Sequence, residues 1–140
     1  MTDEIQTRLD QAALARAEDR YADARNGYAQ AAALSRETGQ PLMRAFSLRH
    51  LSDIDRLGGK PAEALGHAEQ AAALYRRHAP GAGPDIAQAL RLMALALQDL
   101  KRREAAAKAW SEARDLFAAA GDHKAVAECE ARLTGDEDLD

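Results

Sequence analysis

Apolar residues recur along this chain three and four positions apart, in stretches broken by short polar corners, and that spacing belongs to helices buried along one face. The clearest stretch, ALGHAEQAAALY at residues 64–75, aligns Ala64, Ala68 and Ala71 on one stripe, closed by Leu74 and Tyr75. The same pattern stands at Ala24, Tyr28 and Ala31 with Leu34, and at Ala106, Trp110 and Ala113 with Leu116 and Phe117. Successive copies are displaced by 40 and then 42 residues. A fixed period near 40 is what stacked repeats leave in a sequence.

Seven helices follow from this pattern. The first, capped by Thr2 or Asp3, runs to about Glu18 with Ile5, Leu9, Ala12 and Ala13 inward. The second runs from Tyr21 to about Glu37, and Thr38-Gly39-Gln40-Pro41 ends it and starts the third. Helix three, Pro41 to Leu57, carries Ser47, Leu48, Leu51 and Ile54 on one side; Gly58-Gly59 stops it and Lys60-Pro61 opens the fourth, to about His78. After a loop at residues 79–84, Pro84-Asp85 starts a strongly amphipathic fifth helix with Ile86, Ala89, Leu90, Met93, Leu97 and Leu100 inward. Lys101-Arg102-Arg103 is the next corner, and Glu104 to about Ala120 is helix six. Gly121-Asp122 caps a closing helix to Leu133, with Val126, Cys129 and Leu133 on its inner face and Glu128, Glu130 and Arg132 outward. The reading is all-α: an α-α superhelix, or helical-repeat solenoid, of three antiparallel hairpins and a capping helix. Residues 1–134 form one domain and 135–140 an acidic disordered tail.

Composition narrows the picture. Hydrophobic residues make up 46% of the chain but aromatic ones only 4%, so the core is built from Ala and Leu. The net charge of −4 comes from the tail acids Asp136, Glu137, Asp138 and Asp140, and the rest is balanced. A neutral-to-acidic body argues against binding a phosphate backbone, so no nucleic-acid partner is expected. The single Cys129 excludes an internal disulfide, no apolar run approaches the ~18 residues of a membrane span, and the start is not a secretory signal. The cytoplasm is the expected compartment.

At the repeated stripes the chain resembles the tetratricopeptide repeat family. Ala24-Tyr28-Ala31 and Ala106-Trp110-Ala113 match the small, aromatic, small pattern of that family's second helices, and Ala64-Ala68-Ala71 matches with a methyl in place of the ring. Leu90, Met93, Ala94 and Leu97 match the first-helix positions; Leu48, Leu51, Ser52 and Asp55 put a carboxylate where an aromatic is usual. The resemblance covers residues 5 to 133, with a period longer than the family's ~34 that extended corners account for.

The resemblance implies an interaction scaffold whose first helices line a concave groove. On helix three that face holds Phe46, Arg49, Asp53 and Arg56; on helix five it holds Gln88, Arg91, Leu95 and Gln98; helix one adds Gln6, Ala13 and Arg16. Guanidinium forks suit carboxylates, so an acidic or C-terminal peptide segment is one candidate occupant. The alternative is that these arginines are solvated and paired with Asp53 and neighbouring acids. The family's chaperone-tail clamp needs Lys and Asn on successive first helices, and none of these faces carries an Asn.

Nothing points to catalysis. His50, His67, His78 and His123 lie on separate elements without a second His or Cys at three or four residues, so no metal site is expected. Cys129 reads as a buried, inert thiol, and Gly81-Ala82-Gly83 is followed by Pro84, which removes an amide that an anion would need. Arg76-Arg77-His78 and Lys101-Arg102-Arg103 complement helix dipoles. The expected function is therefore a protein-interaction module for a peptide or loop of a partner, with no cofactor. The alternatives are a homo-oligomeric assembly protein (a homodimer being the simplest) and, more remotely, a small-ligand sensor or enzyme.

Overall fold

A computed structural model describes residues 2–135, the side chains of Thr2 and Asp3 excepted. Residues 136–140 of the expected acidic tail (135–140) and the side chains expected to cap the first helix lie outside the described residues. Seven helices follow one another: α1 (Thr2–Ala17), α2 (Tyr21–Glu37), α3 (Pro41–Leu57), α4 (Pro61–His78), α5 (Gly83–Asp99), α6 (Arg103–Ala119) and α7 (His123–Thr134). Each packs against the next, and α3 also touches α5. The result is an all-α repeat of three antiparallel hairpins, α1–α2, α3–α4 and α5–α6, with α7 closing the array.

The repeated stripes are the packing surface. Ala24, Ala31, Ala64, Ala68, Ala71 and Ala113 are fully buried, and Tyr28 and Trp110 almost so. Because alanine has no side chain beyond Cβ, helices meet backbone to backbone at these points, and little apolar area is buried per residue. The core accordingly runs through the stack in two clusters. One joins α1 and α2 to Leu51 and Ile54; the other joins Ala32, Ala45 and Leu48 to α4, α5, α6 and Cys129.

Between these clusters lie the buried polar residues Ser35, Ser47, Ser52 and Asp55. Ser35 and Ser47 donate to the carbonyls one turn back, and Ser52 donates across to the carbonyl of Ala64 at 2.6 Å.

The long period comes from the helices, not the corners. Residues 18–20, 38–40, 58–60, 100–102 and 120–122 are three-residue connectors and 79–82 has four, so the corners are not extended. The added length sits in the helices, five of which have 17 or 18 residues. Every three-residue corner closes the same way. Its last residue donates to the carbonyl five positions back, as in Arg20 to Ala15 and Arg102 to Leu97, with the middle residue left-handed. Gly39, Gly59 and Gly121 take that position without strain, whereas Asp19 and Lys101 hold it with side chains, at φ 60° and 62°.

Two inner-face assignments change. On α1, Ala13 is exposed and Ala15 is buried instead, because contact with α2 runs along Ile5, Leu9, Ala12 and Ala15. On α7, only Glu130 of the three polar residues faces outward; Glu128 and Arg132 reach back to α5. The Asp122 cap is as expected, its carboxylate accepting the Ala125 amide at 3.1 Å.

Two helical glycines make opposite predictions. A Cβ on Gly27 would come 2.9 Å from the Cβ of Ala12, where α1 and α2 cross closely, whereas one on Gly66 meets nothing within 4 Å. Overpacking outweighs the gain in helix propensity at the first site, so Gly27→Ala destabilises by about 1 kcal/mol. Gly66→Ala stabilises by about 1 kcal/mol. Urea denaturation of the two variants measures both signs.

Candidate functional site

The outward stripes of α1, α3, α5 and α7 form one wall, and ion pairs bind it from helix to helix. Arg16 of α1 meets Asp53 of α3 at 3.2 Å. Arg49 of α3 lies 3.7 Å from Asp85 of α5, and Arg56 meets Asp99 at 2.7 Å. Arg91 of α5 forks onto Glu128 of α7 with bonds of 2.6 and 3.0 Å, and Arg132 of α7 donates a 3.2 Å bond back to the side-chain oxygen Oε1 of Gln98. Arg16, Arg49, Arg56 and Arg91 thus each stand opposite an acid of the next helix along the wall. All of these side chains are partly solvated, so each pair contributes roughly 0–1 kcal/mol.

Seven of the eight residues expected on this wall are on it. Phe46 is exposed, Arg49, Asp53, Arg56, Gln88, Arg91 and Gln98 are half-buried, and all but Phe46 and Gln88 are engaged by the bonds above. Leu95 is the exception: it is 4% exposed and belongs to the core. Helix α5 lies between α4 and α6 with α3 beside it, so Ala87, Ala94 and Leu95 are covered as well as the expected stripe. Of the α1 residues, Arg16 bridges to α3, while Gln6 and Ala13 stay exposed and Gln6 bonds only along its own helix, to Asp10.

The middle of the wall is aromatic. Phe46 tilts against His50 with ring centroids 4.5 Å apart, and His50 stacks on Tyr28 at 5.1 Å. The Arg49 guanidinium lies 5.3 Å from the Phe46 ring centre and 6.0 Å from that of Tyr75. Burial between these rings, with Arg49 beside it, lowers the His50 pKa to about 4, so the imidazole is neutral at pH 7. Leu42, one turn before Phe46, is also exposed, which gives α3 two adjacent apolar side chains on an otherwise ion-paired surface.

Asp55 is a feature whose partners the sequence did not reveal. Its carboxylate is fully buried and accepts the Arg25 Nε–H of α2 at 2.7 Å, while its other oxygen lies 2.7 Å from Nδ1 of His67 on α4. The carboxylate thus ties α2, α3 and α4 together where a ring is usual. A lone Asp on an inner stripe was the only signal, and its partners stand 30 residues before and 12 after it. Cys129 is buried, and burial together with Glu128 pushes its thiol up to about 11, which leaves it protonated. Among the described residues no group of His, Cys, Asp and Glu could hold a metal ion, and no helix is long and apolar enough to cross a membrane.

No family model matches the chain, and no curated protein matches it. Among solved structures it is similar to BtubC (BKLC) from P. vanneervenii, with a TM-score of 0.65 and 18% identity. The match covers 93% of this chain and 61% of that one, so the chain spans about three fifths of its neighbour's length. At that identity the likeness is one of fold.

Two measurements follow. The depressed His50 pKa means the native state takes up this proton later than the unfolded chain, whose imidazole titrates near 6.5. The associated stability is fully present above pH 6.5 and declines as pH falls toward 4, by about 2 kcal/mol between pH 7 and pH 5. Unfolding of His50→Phe at both pH values should lack that loss relative to wild type. At the buried carboxylate, Arg25→Met leaves Asp55 with only His67 and costs about 3 kcal/mol, whereas Arg25→Met combined with Asp55→Leu costs less than the single change. Denaturant midpoints of the single and double variants compare the two.

Proposed function

We propose that this protein is an interaction module of the tetratricopeptide repeat kind, which grips a peptide or loop of a partner protein along the wall of first helices. The observation that carries the reading is the exposed Leu42–Phe46 pair beside His50 and Arg49. Apolar side chains adjacent on one face and rimmed by ion pairs have the composition of an interface centre. The buried stripes Ala24-Tyr28-Ala31 and Ala106-Trp110-Ala113 support the repeat assignment.

The cross-helix ion pairs bear on the occupant. Arg49, Arg56 and Arg91 each face an acid of a neighbouring helix, so a segment relying on charge alone would have to displace Asp85, Asp99 or Glu128. The aromatic stripe therefore supports peptide binding better than the arginines do. Among the described residues His67 is the imidazole beside a buried carboxylate, and that carboxylate, Asp55, is committed to Arg25 as well, which disfavours a catalytic reading.

Affinity capture with quantitative mass spectrometry tests the proposal. The exposed double change Leu42→Ser with Phe46→Ser should leave the melting temperature within a few degrees of wild type and reduce capture of the specific partners about ten-fold or more. Capture of the same partners at wild-type level by the folded double variant would end this reading.

A further inference from the structure

Two tyrosines of the second helices end at the wall of first helices. Tyr28 of α2 stacks its ring on His50 of α3 at 5.1 Å. Tyr75 of α4 has its ring centre 6.0 Å from the Arg49 guanidinium of α3. Both residues belong to the core, at 3% and 4% exposure. Their hydroxyls nevertheless have no hydrogen-bond partner among the described residues, and neither oxygen is sealed from solvent. The charges acting on them are those of the wall: Arg16 and Asp53 on Tyr28, Arg49 and Asp85 on Tyr75. Burial raises both phenols above their ordinary pKa, so each presents an intact O–H.

His50 completes the set. Its ring nitrogens also lack partners among the described residues, and the neutral imidazole carries one N–H donor and one acceptor nitrogen. The three groups surround Phe46, with His50 at 4.5 Å, Tyr28 behind it and Tyr75 across the Arg49 guanidinium. In the free protein water meets these polar atoms, and a docked segment replaces that water.

Charge decides which segment. Arg16, Arg49, Arg56 and Arg91 already face Asp53, Asp85, Asp99 and Glu128, so a charged occupant would have to open one of those pairs. An uncharged backbone needs no such exchange. Each of its residues offers one C=O and, except at proline, one N–H, and in an extended chain these are not spent on internal bonds as they are in a helix.

We propose that Tyr28, His50 and Tyr75 read the backbone of an uncharged, extended segment of a partner protein, one of whose apolar side chains sits on Leu42 and Phe46. The inference deepens the reading above, on whose peptide binding it rests, and makes these three residues the specificity determinants of the groove. Peptide carbonyls accept from the phenol O–H groups and the imidazole N–H, and a peptide N–H donates to the free ring nitrogen.

The phenols are testable without disturbing the core. Tyr28→Phe and Tyr75→Phe each remove one oxygen that bonds nothing among the described residues, so both variants should melt no lower than wild type.

The probe is a library of random short peptides displayed on phage and selected on the full chain, the enriched sequences then being synthesised with both ends blocked. Their shared core should be uncharged and contain an apolar residue. In fluorescence anisotropy, Tyr28→Phe, Tyr75→Phe and His50→Phe should each weaken binding about five-fold. Raising NaCl from about 0.05 M to about 0.5 M should change affinity less than about two-fold. Enrichment of acidic sequences, no enrichment at all, or full affinity in either folded tyrosine variant would overturn the proposal. Loss of binding in Leu42→Ser with Phe46→Ser, together with full affinity in the tyrosine variants, would remove the backbone reading alone. Wild-type affinity in that folded double variant would remove the face itself. A dimer in sedimentation that the same double change dissociates would give the face to a second copy and overturn the partner assignment.

Discussion

Close approach of helices through alanine is the contact on which this architecture depends. Ala24, Ala64 and Ala106 open the stripe of each second helix, and all three are buried, as are Ala31, Ala71 and Ala113 one turn and more beyond. A methyl group contributes little area, so no hairpin made this way encloses enough apolar surface to stand alone. Each second helix instead lies against its own first helix and the first helix of the next hairpin, and every layer supplies a wall that its neighbour lacks. The few large side chains, Tyr28, Tyr75, Trp110 and Phe117, fill the spaces that alanines leave.

That dependence explains why polar groups can sit inside. The seam at α2 and α3 holds Ser35, Ser47, Ser52 and Asp55, all engaged by hydrogen bonds. A buried carboxylate is weak evidence for stability, since its desolvation offsets much of its attraction to Arg25 and His67. Its geometric consequence is clearer: the three groups meet only when α2, α3 and α4 hold one register.

Corners of one type then convert a packing rule into a repeating object. Three-residue connectors closed by the same backbone bond fix the angle between helices, and near-equal helix lengths keep successive first helices in step. Arg16, Arg49 and Arg91 consequently meet acids on the next helix, and the wall becomes a nearly neutral surface with an aromatic centre.

The one-dimensional pattern determined the helices, their order, the hairpin repeat and the buried stripes, because helix periodicity and glycine corners act between residues close in sequence. Seven of eight wall residues were legible for the same reason. Leu95 was not, since its burial depends on how many neighbours surround α5, and periodicity reports only one face. That the wall's arginines pair with acids was one reading of the sequence, but the partners of Arg49, Arg56 and Arg91, acids 36, 43 and 37 residues further on, were not legible. Asp55 with its two partners likewise exists only once the layers are stacked. Tertiary structure decided them because each is a meeting of side chains from different helices, and the relative placement of helices is set by packing across the whole stack.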